Sequence, residues 1–122
     1  MTTLGRGFRC TLDDGLERLP TPEGKRSVGL YRHGTLEAKL YAPRGTDPQK
    51  PHDRDEVYVV ATGSGVYFCD GHRAPFGPGD FLFVPAGVEH RFEDFTDDFA
   101  VWVLFYGPVG GEAASDSDTA SG

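Results

Sequence analysis

The sequence predicts an all-β domain, a sandwich or barrel, on three observations. Short apolar runs recur at close, regular spacing and alternate with period two where the pattern can be read. Seventeen glycines and nine prolines separate them, enough for a tight turn at most junctions. No stretch carries a long helical periodicity. At 122 residues the chain is one domain with room for a single core. Aromatic residues make up 12% against an apolar total of 38%, so large rings carry much of the burial.

Residues 1–25 are poorly periodic, contain the turn-like LPTPEGK, and read as an N-terminal arm laid over the domain. DDGLERL is the best helix candidate and is short. The strand region runs over 26–108. SVGLYR ends at the turn HG, and TLEAKLYA then alternates, with Leu36, Ala38 and Leu40 on one face and Glu37 and Lys39 on the other. PRGTDPQKP is a loop. EVYVVA and GVYFC are parted by TGS. Asp70-Gly71 makes a tight hairpin turn into HRAPF. FGPGD turns into FLFV, which runs to PAG, and VEHRFEDF and FAVWVLFY complete the set. EVYVV and FAVWVLFY are apolar on both faces. One face fills the interior, and the other needs a second sheet, the arm or another subunit. This predicts a homodimer. Residues 109–122 are small, polar and acidic and read as a disordered tail.

The formal charge of -7 argues against nucleic acid or anionic membranes as partners. No apolar run approaches the ~20 residues that span a bilayer. The opening MTTLGRGFRC lacks the apolar core of a signal peptide, so a cytoplasmic location is expected. Cys10 and Cys69 stand apart, without CxxC spacing, and read as free thiols. The chain has no Asn and no Ile, as codon bias from a GC-rich genome would produce, so a missing Asn in a motif carries little meaning.

Of four histidines, His33 and His72 sit in turns and read as solvated. His52 lies four positions before Glu56, an even spacing that puts both on one strand face. Fully extended, four residues span about 13 Å, which strains two side chains sharing one ion at ~2 Å bonds. Asp53-Arg54-Asp55 lies between them, and Asp is a poor strand former, so a bend or bulge there would bring them together. His90 and Phe92 point inward if Arg91 and Glu93 point out. Taken alone, an inward histidine reads as a hydrogen-bonded core residue.

The surrounding spacing adds a further reading. Gly79, Pro85, Gly87 and His90 follow one another with five, one and two residues between them; His52, Glu56 and Gly63 have three and six residues between them. These stretches resemble the two motifs of the cupin superfamily, over roughly Ser27 to Gly107. The second motif is complete through His90, with Asp94 where an Asn is usual. The first usually opens His-x-His, and here Lys50 takes the first of those positions. The resemblance implies a single double-stranded β-helix, or jelly-roll, barrel. It places His52, Glu56 and His90 on metal-ligand positions, with Gln49 as a fourth ligand if the loop slips by one residue. Pointing Lys50 out of the barrel mouth is cheaper than burying it without its proton. Two histidines and a carboxylate are the set of non-haem Fe(II) oxygenases; Mn, Ni, Zn and Cu are also accepted, with Fe the leading choice. Tyr31, Tyr58, Phe83, Phe92, Trp102 and Tyr106 are candidates to line a cavity for a small oxygenated or aromatic metabolite. Dioxygenase-like or isomerase, cyclase or lyase chemistry would follow, with Tyr58, Glu89 and Lys50 as candidate acid–base groups. The alternative is a non-catalytic cupin that binds or senses a metabolite, without metal.

Overall fold

Turn residues cut the chain into ten short strands and one helix in the computed structural model, which describes residues 1–113. The part of the tail reading that falls on 114–122 lies outside the described residues. The strands are β1 (Thr2–Leu4), β2 (Gly7–Arg9), β3 (Ser27–His33), β4 (Leu36–Tyr41), β5 (Asp55–Thr62), β6 (Gly65–Cys69), β7 (His72–Phe76), β8 (Phe81–Val84), β9 (His90–Glu93) and β10 (Ala100–Tyr106); the helix is α1 (Leu12–Leu16). The all-β reading therefore holds. A five-stranded sheet runs β3-β4-β10-β5-β8, a three-stranded sheet runs β7-β6-β9, and β1-β2 form a hairpin. Asp70 and Gly71 turn β6 into β7 with φ of 50° and 80°, the left-handed pair a tight two-residue hairpin requires.

The main core lies between the two larger sheets. Tyr58 and Val60 of β5, Val84 of β8, and Val101, Val103 and Phe105 of β10 meet Phe76 and Phe92 from the other sheet, with Phe99 among them. Burial follows strand parity. His90 and Phe92 are buried while Arg91 and Glu93 are not, as the alternation of β9 predicts. Tyr67 ties the sheets at their edge by donating its hydroxyl to the Phe83 carbonyl at 3.1 Å.

A second apolar layer explains the strands that are apolar on both faces. Val28, Leu40, Ala42 and Ala100 form an outer cluster, covered by Leu12, Leu16 and Leu19 of the arm and by Trp102. The alternation read in β4 is correct, but its apolar face looks outward to this layer. Glu37 and Lys39, with Tyr41, look into a cavity. The helix holds the arm down. Thr11 accepts the Asp14 amide at 3.0 Å, and the Asp14 carboxylate accepts the Thr11 amide at 3.1 Å. The Met1 ammonium lies 3.2 Å from the same carboxylate. The Thr11 amide first, and the ammonium next, hold the Asp14 carboxyl below its ordinary range. Gly15 is buried against Leu40, where a Cβ would come within 2.7 Å of Cδ2.

His33 and His72 are exposed at strand ends, as expected. Cys10 and Cys69 are free and half-buried. No helix among the described residues is long and apolar enough to cross a membrane.

Candidate metal centre

The chain bends at Asp53 and Arg54, just before β5 begins, and this bend folds His52 back over Glu56. It is pinned from three sides. The His52 carbonyl accepts the Gly87 amide at 2.7 Å, and the Asp53 carbonyl accepts the Gly110 amide at 2.6 Å. The buried Asp55 carboxylate accepts the Ala86 amide at 3.0 Å and the Glu112 amide at 2.8 Å. The Pro85–Gly87 turn thus docks directly on the bend, and residues 110–112 strap it from outside. Gly87 makes its contact at φ 79°, which a side chain would strain. The turn leads into β9 and delivers His90.

His52, Glu56 and His90 come together. His52 Nδ1 and His90 Nε2 lie 3.2 Å and 3.3 Å from the same Glu56 Oε1, and one donor atom from each residue falls within 4.8 Å of the others. Glu56 and His90 are almost completely buried.

Gln49 joins them. Its Oε1 lies 3.2 Å from His90 Nε2 and accepts the Tyr58 hydroxyl at 3.1 Å. Its Nε2 donates to Asp47 Oδ2 at 2.6 Å. Asp47 is itself buried and also accepts the Phe92 amide at 2.8 Å and the Tyr41 hydroxyl. The amide orientation is thereby set: nitrogen toward Asp47, oxygen toward the histidine. Lys50 is exposed and lies outside the cavity, which removes it as an acid–base candidate. The loop presents Gln49, one residue earlier, in its place.

The donor chemistry fits a cation. His90 Nδ1 lies 2.9 Å from the Val88 carbonyl, a pure acceptor, so that nitrogen carries the hydrogen. In the neutral ring Nε2 then aims a lone pair at two oxygens, Gln49 Oε1 and Glu56 Oε1. His52 Nδ1 and Glu56 Oε1 are buried and close, yet not aligned for a hydrogen bond, so neither is satisfied. Leaving such a group unpaired costs about 1–3 kcal/mol. Positive charge at this point relieves all of these contacts. Burial opposes a charged His90, but the Glu56 carboxylate and the Val88 carbonyl outweigh it and hold its pKa above the ordinary value. Burial likewise opposes an ionised Glu56, but His52 and His90 outweigh it and hold that pKa below. Two imidazole nitrogens, a carboxylate oxygen and an amide oxygen make a set that could hold one divalent transition ion.

A cavity of about 690 Å³ opens beside this cluster, walled by β4, β5 and β10. Of the six rings expected to line it, Tyr58 does, and Phe92 is buried in the core beside Tyr58 at 4.8 Å between centroids. The other four do not. Tyr31 stacks on Phe8 at 4.6 Å, Phe83 is 43% exposed, Trp102 packs on the outer cluster, and Tyr106 is half-exposed. Parity is the reason: Val101, Val103 and Phe105 of β10 face in, so Trp102 and Tyr106 cannot, and Val84 does the same to Phe83. The sequence reading missed Tyr41 and Phe105 as lining residues and Asp47 as the partner of Gln49. Nothing local marked them: both faces of β10 are apolar, and Asp47 lies in a loop without periodicity. Glu89 is exposed, 3.7 Å from Arg91, and away from the cavity, which removes it as well. Tyr58 alone of the three acid–base candidates faces the cavity. Burial, with Glu56 nearby, holds its phenol well above the ordinary value and so protonated.

Comparison with known proteins agrees with this architecture. An uncharacterized protein of Streptomyces coelicolor is 38% identical over 86 residues, covering 70% of this chain and 74% of that one. Acireductone dioxygenase of Rhodopseudomonas palustris is 47% identical over 45 residues, which cover 34% of this chain and only 27% of that enzyme. Among solved structures, a cupin 2 conserved barrel domain protein from Salinispora arenicola superposes with a TM-score of 0.62 at 22% identity, over 83% of this chain and 88% of that one. The family model described as the cupin domain matches residues 39–106, from the inward-facing wall of β4 through the last strand. With both histidine motifs folded onto one buried carboxylate inside that span, the chain belongs to the cupin domain family.

Proposed function

We propose that this protein is a small metal-dependent enzyme acting on an oxygenated or aromatic metabolite, with one divalent transition ion held by His52, Glu56, His90 and Gln49. The observation that carries this reading is the convergence of unsatisfied donors. Glu56 Oε1 and His52 Nδ1 are buried without hydrogen bonds, beside the lone-pair side of His90. The bound ion would supply Lewis-acid polarisation of a coordinated oxygen or, as Fe(II), a centre for O₂ chemistry. The chain's own residues do the rest. Glu56 and the two imidazoles balance the charge. Val103 and Phe105 exclude water from one wall of the cavity. Tyr58, protonated and within reach of Gln49 Oε1, is the proton donor nearest the site. Lys50 and Glu89 lie outside the cavity, so of the acid–base candidates read from the sequence Tyr58 alone is placed to serve either branch.

Val57 and Val59 on the outer face of β5 pair with Phe83 and Phe81 of the edge strand β8. This apolar strip, with Phe81 66% exposed, is proposed to meet the same strip of a second copy.

Metal analysis of protein purified without added metal tests the centre. About one equivalent of a transition metal is expected, falling to background in His52→Ala and His90→Ala. Content that does not change in these variants would sink the assignment. Oxygen uptake by the Fe(II)-loaded protein with a panel of small phenols and diketones then separates turnover from binding alone. A folded, metal-loaded protein that turns over nothing in the panel favours the binding reading.

A further inference from the structure

Two charged side chains stand on the inward face of β4, where a small β-barrel usually places apolar groups. Glu37 and Lys39 both line the cavity. The register places them with respect to the metal cluster. Lys39 pairs with Val103, which pairs with Tyr58; Glu37 pairs with Phe105, which pairs with Glu56. Each is therefore two strand spacings, about 10 Å, from its counterpart on β5, with an apolar residue between them.

Around Glu37 the cations outnumber the acids. The Glu37 carboxylate lies 3.0 Å from Arg32, 3.7 Å from Arg54 and 3.9 Å from Lys39. Three cations share one carboxylate. Arg32 is 80% exposed and screened by solvent, but Lys39 and Arg54 are only 31% and 22% exposed and turn toward the cavity. The contact of Lys39 with Glu37 is at the outer edge of ion pairing, and Glu37 has a closer partner in Arg32. Lys39 is thus a half-buried ammonium with little of its charge compensated.

We infer that the cavity selects a small anionic ligand: a molecule with oxygen donors at one end and a carboxylate at the other, the carboxylate being held by Lys39 and Arg54. The apolar strip of Val103 and Phe105 between the two ends suits a ring or a short chain. This rests on the metal centre proposed above, and the test separates the two.

The test uses the full chain loaded with redox-silent Zn(II), titrated calorimetrically with 3,4-dihydroxybenzoate and with 3,4-dihydroxybenzamide. Both carry the same chelating oxygens and an electron-withdrawing substituent; only the first carries the distal charge. The acid is expected to bind about tenfold tighter, the size of one charge-assisted hydrogen bond. Lys39→Met should shrink the difference to what Arg54 alone supplies, and Glu37→Gln, which frees Lys39 and Arg54, should widen it. If Lys39→Met does not fold, Glu37→Gln carries the test alone. Zn(II) uptake is measured first, and its absence would overturn the metal reading. With Zn(II) bound, no preference for the acid in the natural sequence, or a preference that Lys39→Met leaves undiminished, overturns the anionic ligand while leaving the metal centre standing.

Discussion

Asp47 does no chemistry itself, yet it decides which atom of Gln49 faces His90. Its carboxylate takes the Gln49 nitrogen and the Phe92 amide together, so the loop carrying Gln49 and the strand carrying His90 share one anchor. Asp47→Ala frees the amide to turn and leaves the Phe92 N–H without its partner. Its expected effect is a 10–100-fold loss of metal affinity, typical for the supports of metal ligands, with about 1–3 kcal/mol of stability lost. Competition with a chromogenic chelator and a urea melt would measure both, and an unchanged affinity would show that Gln49 is not held for the metal. His52, Glu56 and His90 were legible in the sequence because their spacing is fixed by motif. The Gln49–Asp47 pair was legible only in half. Gln49 stood next to an expected ligand position, but the acid that orients it is two residues away in a loop without periodicity.

At the level of elements, the motif glycines mark close approaches of backbone. Gly63 ends β5 at φ 86°, and a Cβ there would lie 2.5 Å from the Phe99 Cα and 2.7 Å from the Thr96 hydroxyl. Gly63→Ala must therefore both strain the backbone and push two segments apart, and at least ~2 kcal/mol of destabilisation is expected. A denaturation midpoint equal to that of the natural sequence would contradict this packing. Asp94 closes the second motif at φ 49°, a left-handed conformation that Asn and Asp tolerate better than other side chains, which explains why Asp serves where Asn is usual. Strand parity was legible wherever one inward residue was known, as in β9. In β4 and β10 it did not say which face meets the cavity, because both faces of these strands are covered.

For the whole molecule, the arm and the outer sheet face divide one task. The arm covers Leu40 and Ala42 on the β4 side. On the β8 side, Phe81 and Phe83 are left open beside Val57 and Val59. Light scattering after size exclusion should give a dimer for the natural sequence and a monomer for the double variant Phe81→Lys, Phe83→Lys. A monomeric natural protein would remove the proposed pairing. Metal content in the double variant should be unaffected, because both side chains point away from Glu56.

The sequence by itself determined the all-β class, the turn positions, and the two histidines and carboxylate that the fold brings together. These depend on local patterns: period-two alternation, glycine and proline turns, and fixed motif spacing. Only the tertiary structure decided that Gln49 rather than Lys50 turns inward, that Glu37 and Lys39 face the cavity, and that Tyr31, Phe83, Trp102 and Tyr106 do not. Each of these depends on which side of a strand or loop meets another layer. That is set by contacts between residues far apart in the chain, such as Asp47 with Phe92 and Leu40 with the arm, and no local pattern encodes them.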